Sequence, residues 1–425
     1  MLLGSNYRND AVEKLYGDRI GDSSIIFTPW DTVENMLDLI PEDFWTPDVT
    51  ILDMYCKSGR FLVGAFRKLY NSPYLAYLSE SERTLHILNK QLFGLCADMT
   101  CMLLSEANLY GYAQYGKKHI KLVDTYDYNS VVKQRKDGII NRTLEGKFGQ
   151  MKFDLVIGNP PYNKDAYIDF VEIGHKLATQ YSCWVTPAKW QAKGGEKNEQ
   201  FRKDIMPYMR KVVYFPDCGD VFNIGDVGGI SYYLISKKVN DICEILNRCN
   251  TNSIINGKTA YRSLIKGLSC YCDSIIDKMA NCHKFKIDDT FRKYNYMITT
   301  PPAIGGTKGE SSFLFGKTGM CQCIKIGEVY DISEARELPS HYKVICSADN
   351  SETLRSKMSF IYSRFVRFLV LVGLTTQSIL TPETWRFVPD PGSFDHIFTD
   401  EELYKKYNLT PEEINIIESV IKERK

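Results

Sequence analysis

The sequence predicts an α/β protein: a doubly wound, largely parallel sheet with helices on both faces, followed by a mixed α+β part. Two observations carry this. Through about residue 237, short apolar runs of strand length alternate with amphipathic stretches of helical period, the pattern of strands covered by helices. Beyond Lys238 that alternation weakens into short, polar, irregular segments with a Gly/Thr/Ser-rich stretch at 304–312.

In chain order, residues 49–52 read as the first strand, and Phe61, Leu62, Ala65, Phe66 and Leu69 mark one face of the helix after it. Residues 92–95 form a second strand, followed by a helix through Met102, Leu103 and Leu109. Strands follow at 120–123 and 153–157, then a helix at 166–178. Strands at 183–185, 212–215 and 230–235 complete the sheet. Near the end, Thr399 and Thr410 each precede acidic residues in a first helical turn, the signature of two capped helix starts. The expected organisation is a catalytic domain over 1–240, a second domain over 241–394 and a helical hairpin over 395–425.

Composition narrows the class. With 44% hydrophobic and 25% charged residues in 425, the chain is long enough for two or three cores. No apolar run approaches the ~20 residues that span a bilayer, and no signal pattern opens the chain; the expectation is a cytoplasmic protein without a membrane partner. Net charge is +1, so binding a polyanion would require local basic clusters. The thirteen Cys include no C-x-x-C, and the six His form no ligand pair, so no metal is expected.

The most informative segment joins the strand at 153–157 to Gly158-Asn159-Pro160-Pro161-Tyr162. Two prolines lock the backbone into a stiff extended loop, and loops at the carboxyl ends of strands carry ligand chemistry in α/β proteins. Asn159 offers a side-chain carbonyl, Pro160 a main-chain carbonyl, and Tyr162 a flat face. That trio suits a planar amino group attached to a conjugated ring. A proline-rich turn without Asn or Tyr, as at Thr300-Pro301-Pro302, lacks these groups.

Asn159-Pro160-Pro161-Tyr162 resembles motif IV of the S-adenosylmethionine-dependent amino-methyltransferases, especially the gamma-class adenine-N6 DNA methyltransferases of restriction–modification systems. The resemblance implies a Rossmann-like sheet and a C-terminal target-recognition domain. Asp53-Met54-Tyr55-Cys56-Lys57-Ser58-Gly59-Arg60-Phe61 is similar to motif I. Asp53, Cys56, Ser58, Gly59 and Phe61 match it, and Tyr55 lies among them; Lys57 and Met54 depart from the usual Gly and Pro. Thr28-Pro29 resembles motif X, and Asp124, with Asp127 as competitor, resembles the motif III acid. Cys96 stands where a ribose-binding acid is usual, leaving Asp98 as candidate. Phe222 is similar to the motif VIII aromatic, expected to stack on the target base with Tyr162.

What the resemblance implies is methyl transfer from S-adenosylmethionine to the N6 amino group of a flipped-out adenine in double-stranded DNA. Asn159, Pro160, Pro161 and Tyr162 are the implied catalytic residues, and Asn159 also touches the cofactor. A cognate restriction endonuclease is an optional partner. Basic residues that could meet DNA are Lys189, Lys193 and Arg202 in one run and Arg364 in another, where a solvated helix and a core-flanking helix are the respective alternatives. An amino-methyltransferase acting on RNA or on a protein glutamine, and a catalytically silent DNA-binding subunit, are the competing functions.

Overall fold

The computed structural model describes residues 27–111, 118–123, 137–162, 165–191, 195–215, 218–222, 229–239, 242–250, 253–261, 273–286, 296–300, 315–316, 319–320, 329–331, 343–348, 350–373 and 385–421. The chain divides into two compact units. The first comprises residues 1–186, 200–212 and 231–244; the second comprises 187–199, 213–230 and 245–425. This division is interleaved, unlike the collinear one expected from sequence.

In the first unit, α1 (Trp30–Leu37) precedes β1 (Ile51–Asp53), α2 (Arg60–Tyr70), β2 (Leu92–Cys96), α3 (Met99–Tyr110) and β3 (Ile120–Leu122). Then come β4 (Phe153–Gly158), α4 (Ala166–Leu177), β5 (Ala178–Pro187), β6 (Met209–Phe215), β7 (Ile230–Ser236) and β8 (Ile242–Asn250), the last four strands each running past the bounds of this unit. The nine-stranded sheet runs β3-β2-β1-β4-β5-β7-β6-β8-β9, with β9 at Ser253–Tyr261. β1 pairs in parallel with both β2 and β4, β2 with β3, and β4 with β5. The expected α/β class is therefore observed. From β1 the chain winds outward through β2 and β3, then returns to β4 on the opposite side, so the order reverses between β1 and β4. Crevices at such reversals, beyond the carboxyl ends of the strands, are where doubly wound sheets bind ligands.

These elements form for legible reasons. β1 and β2 are buried throughout, as strands covered on both faces must be. On α2 the stripe Phe61, Leu62, Ala65, Phe66 and Leu69 is buried, with Arg67 and Lys68 in the last turn, where cations complement the helix dipole. Helix α3 departs from its expected apolar face. Leu103 is 56% exposed, while Cys101, Leu104, Ser105 and Asn108 are buried. Its inward side is partly polar because it meets loop backbone rather than only apolar side chains.

At the amino end of β4, Asp154 ties three strands together. Its carboxylate accepts from Thr50 N (2.9 Å) and Thr50 Oγ1 (3.0 Å) beside β1, and from Thr179 Oγ1 (2.7 Å) and Gln180 Nε2 (3.2 Å) on β5. This node fixes the register at the end of the sheet opposite the strand–loop junctions.

The second unit contains β9 (Ser253–Tyr261), β10 (Tyr296–Thr300), β11 (Phe315–Gly316), β12 (Gly319–Met320), β13 (Val329–Asp331) and β14 (Lys343–Ala348). Strand β10 pairs antiparallel with both β13 and β14. Its helices are α5 (Asp273–Met279), α6 (Ser351–Tyr362), α7 (Arg364–Gly373), α8 (Asp400–Lys406) and α9 (Pro411–Val420). Both threonine caps are present: Thr399 accepts from Glu402 N, and Thr410 forms a capping box with Glu413. The two C-terminal helices are not a separate hairpin. Leu403, Tyr404 and Ile417 share one apolar core with Ile275, Phe360, Phe365 and Trp385. Capping signals mark where helices start but carry no information about what their apolar faces bury.

Removing the Asp154 carboxylate strands the Thr50 N–H at a partly buried position. Asp154→Ala should lower stability by about 1–3 kcal/mol, read as a reduced urea midpoint at unchanged slope.

Candidate active site

The loop after β1 is shaped by main-chain hydrogen bonds and by α3. Asp53 Oδ1 accepts from Tyr55 N at 3.0 Å, and Cys56 N donates to Leu95 O at 2.8 Å. Ser105 Oγ donates to Lys57 O (3.2 Å), and Asn108 Nδ2 donates to Ser58 O (2.8 Å). Two polar side chains one helical turn apart thus satisfy carbonyls that the tight turn leaves without ladder partners. Gly59 then enters α2 at φ +78°, and a Cβ there would lie 3.1 Å from Ser105 Cα. Only glycine combines that conformation with that approach.

The loop after β4 meets it from the neighbouring strand. Asp53 stands opposite Ile157 in the pairing of β1 with β4, and a Cβ on Gly158 would lie 3.1 Å from Asp53 Oδ1. The next residue, Asn159, is 5% exposed. Its Nδ2 donates to Thr28 Oγ1 at 3.1 Å, whereas its Oδ1 is buried and has no hydrogen-bond partner. Leaving such an acceptor unpaired costs about 1–3 kcal/mol, and Oδ1 is able to accept a further hydrogen bond. Pro160 is buried and Tyr162 half-buried; the Tyr162 hydroxyl donates to Val185 O at 3.4 Å.

These loops and the segment before α1 line an open cleft. Of the residues expected to touch a cofactor, it gathers Thr28, Asp53, Tyr55, Ser58, Gly59, Phe61 and Asn159. It adds Phe27, Lys57 and Arg60, which sequence reasoning passed over. Two of these were visible as the cations bracketing Ser58-Gly59. Arg60 Nη1 donates to Thr28 O at 2.8 Å, and its guanidinium lies 5.3 Å from the Trp30 ring centroid.

Burial dominates the electrostatics. Asp53 is 2% exposed, and desolvation raises its pKa to about 7 against the opposing Tyr55 N–H, the Cys56 side chain and the Lys57 charge. Burial also pulls the Lys57 ammonium below its ordinary range. The Cys56 thiol is pushed up by its contact with Cys96 and by burial, so it remains protonated.

Other expected residues sit elsewhere. Cys56 is packed behind the loop, 3.2 Å from Ser105 Oγ. The Pro29 carbonyl accepts from Val33 N in the first turn of α1. Asp98 caps α3 through Cys101 N at 2.8 Å and does not line the cleft, and Cys96 is fully buried. Phe222 (8% exposed) lies on the short Gly219–Phe222 helix, and Lys189 lies in the Ala188–Gln191 turn, both in the second unit. Arg202 is on the Glu196–Ile205 helix of the first unit. Arg364 pairs with Glu418 at 3.3 Å, and its aromatic neighbours Phe360, Phe365 and Phe368 are core residues. Asp124, Asp127 and Lys193 lie outside the described residues. Among the described residues, no group of three or more His, Cys, Asp or Glu could hold a metal, and no helix is long and apolar enough to cross a membrane.

Residues 16–206, somewhat less than half of the chain, match the model of the N-6 DNA Methylase family, the kind of adenine-N6 methyltransferase that the sequence resembles. An adenine-specific methylase of Mycoplasma pneumoniae, itself uncharacterised, is 24% identical over 297 residues, 53% of this chain and 70% of that protein. Among solved structures, the methyltransferase subunit of a type I restriction–modification system from Streptococcus thermophilus is 18% identical at TM-score 0.40. That alignment covers 64% of this chain and 56% of that one. The M protein of the type I restriction enzyme EcoKI is 15% identical at TM-score 0.39, over 57% and 52%. The chain thus spans about half the length of these solved subunits.

Two outcomes follow from the loop. Gly59→Ala should cost about 1–3 kcal/mol in denaturant unfolding, since the new Cβ meets backbone in a left-handed conformation. Asp53 has a folded pKa above its unfolded value, so its stabilising contribution is complete below about pH 4 and is lost as pH rises towards 7. Asp53→Asn should therefore gain on the wild type by roughly 4 kcal/mol between pH 4 and 8, as read by paired unfolding curves.

Proposed function

We propose that this chain, through the N-6 DNA Methylase segment at 16–206, transfers a methyl group from S-adenosylmethionine to the N6 amino group of adenine in double-stranded DNA. The observation that carries the reading is the buried Asn159 Oδ1 without a hydrogen-bond partner, on a residue that lines the open cleft between the β1 and β4 loops. The gamma arrangement is supported by chain order, with Thr28-Pro29 before Asp53–Phe61 and Asn159–Tyr162 after both.

The residues present fit that cofactor. Gly59 gives the turn its left-handed entry into α2, and the first main-chain N–H groups of a helix favour an anionic group. Asp53, Tyr55, Ser58, Phe61 and Asn159 would hold the cofactor, with Thr28 alongside. When bound, S-adenosylmethionine supplies a methyl group activated by an adjacent sulfonium.

The chain's own task is to make a poor nucleophile reactive. The adenine amino lone pair is delocalised into its ring. Asn159 Oδ1 and the Pro160 carbonyl each accept one N–H from it, which draws the nitrogen towards tetrahedral geometry and directs its lone pair outward. Alignment and hydrogen bonding supply the catalysis, and the displaced proton passes to water. The base must leave the duplex to reach the loop. Tyr162 offers it a stacking face, with Phe222 proposed as a second wall; each stack is worth about 1–3 kcal/mol. Cys96 leaves no acid at the end of β2, so Asp98 is proposed for the ribose with its second carboxylate oxygen. Lys189, Lys193 and Arg202 are proposed phosphate contacts, and residues 241–394 the target-recognition region. The activity fits the modification half of a restriction–modification system, with a restriction endonuclease as an optional partner.

Labelled S-adenosylmethionine and mixed-sequence duplex DNA, followed by sequencing of modified bases, test this. The wild type should deposit N6-methyladenine at one recurring site, and Asn159→Ala should reduce the rate by at least about 100-fold. Transfer confined to RNA or protein would sink the DNA assignment, and absence of cofactor binding would point to a silent subunit.

A further inference from the structure

We infer that Thr28 is a positioning residue for Asn159, with Arg60 as the strap that holds Thr28 in place; the inference rests on the proposed methyl-transfer reading. A side-chain amide is useful as an acceptor only if its oxygen end faces the donor. Turned over, Asn159 would present an N–H to an incoming amine, and two donors would meet. The strand leading to Asn159 fixes its backbone, but the amide needs a fixed point of its own.

Thr28 supplies that point. Its Oγ1 accepts from Asn159 Nδ2 at 3.1 Å across 131 residues of sequence. Thr28 is 5% exposed and Asn159 also 5%, so water does not readily replace the contact. With the nitrogen end occupied, the buried oxygen end of this cleft-lining residue is left without a partner. The main chain of Thr28 is held in turn. Its carbonyl accepts Arg60 Nη1 at 2.8 Å, and the Arg60 guanidinium packs at 5.3 Å from Trp30, whose ring also carries Arg67 at 4.7 Å. Trp30 is 6% exposed, which makes this a firm base. The first residue of α2 is thus connected through Thr28 to the amide that follows β4.

This role differs from a cofactor contact in what its loss does. A cofactor contact, when deleted, weakens cofactor binding; an anchor for Asn159, when deleted, lowers turnover at saturating cofactor. Valine is isosteric with threonine but has no acceptor, whereas serine keeps the hydroxyl.

The experiment compares full-length wild type, Thr28→Val and Thr28→Ser by two readouts. The first is hydrogen exchange of the Asn159 side-chain amide in ¹⁵N-labelled protein, its signal identified by its absence from Asn159→Ala. The second is steady-state methyl transfer from labelled S-adenosylmethionine to mixed-sequence duplex DNA. Thr28→Val should speed amide exchange by at least about 10-fold and reduce kcat about 10- to 100-fold, with KM for the cofactor within about threefold. Thr28→Ser should stay close to wild type in both. Unchanged exchange in Thr28→Val, or a loss carried wholly by cofactor KM, overturns the inference. If Thr28→Val does not fold, Arg60→Gln takes its place with the same expected direction. The amide readout decides the role of Thr28 even where no DNA is methylated; that result would overturn the methyl-transfer reading alone.

Discussion

The parallel pairing of β1 with β4 is the constraint on which the site depends. Asp53 and Ile157 are opposite one another, so loops a hundred residues apart in sequence leave adjacent strands side by side. A shift of the pairing by one residue would reverse which side chains face the helices, and would carry Asn159 away from the segment that begins at Asp53. The Asp154 node at the far end and the close approach of Gly158 to Asp53 at the near end both act on this one pair of strands. The position of the Asn159 amide follows from both.

Buried polarity is distributed unevenly around the cleft, and the unevenness is informative. The carbonyls of Lys57 and Ser58 are each met by a side chain from α3, so the turn after β1 is a finished object that needs no ligand to stabilise it. The Asn159 oxygen is left unsatisfied at a position almost as buried. The surrounding strands and helices hold that oxygen in place. Lys57 and Asp53 belong to the same economy: both are shifted towards their neutral forms by burial.

Much of this was legible in the sequence because it is local. Apolar runs, helical stripes, threonine caps and the rigid Asn159–Tyr162 segment each declare themselves within a few residues. The relations that complete the site are long-range and leave faint marks. Nothing near Thr28 indicates that its hydroxyl reaches Asn159, and Ser105 with Asn108 reads as a polar interruption of a helix rather than as support for a turn. Arg60 looks like an ordinary helix-start cation until the carbonyl it grips is known. Asp98 shows the converse: a carboxylate near the right place in sequence caps its helix. The basic and aromatic alternation around Arg364 resolves into a core face with an ion pair beside it, since alternation alone does not separate an inner face from an outer one.

The interleaved course of the chain bears on how such a protein can diversify. Residues 187–199 and 213–230 belong to the second unit, although they are flanked on both sides by segments of the first. A recombination event that replaced everything after residue 245 would bring in a foreign second unit but retain these two native excursions. The graft would have to match them. A chimaera is therefore best cut so that both excursions travel with their own unit.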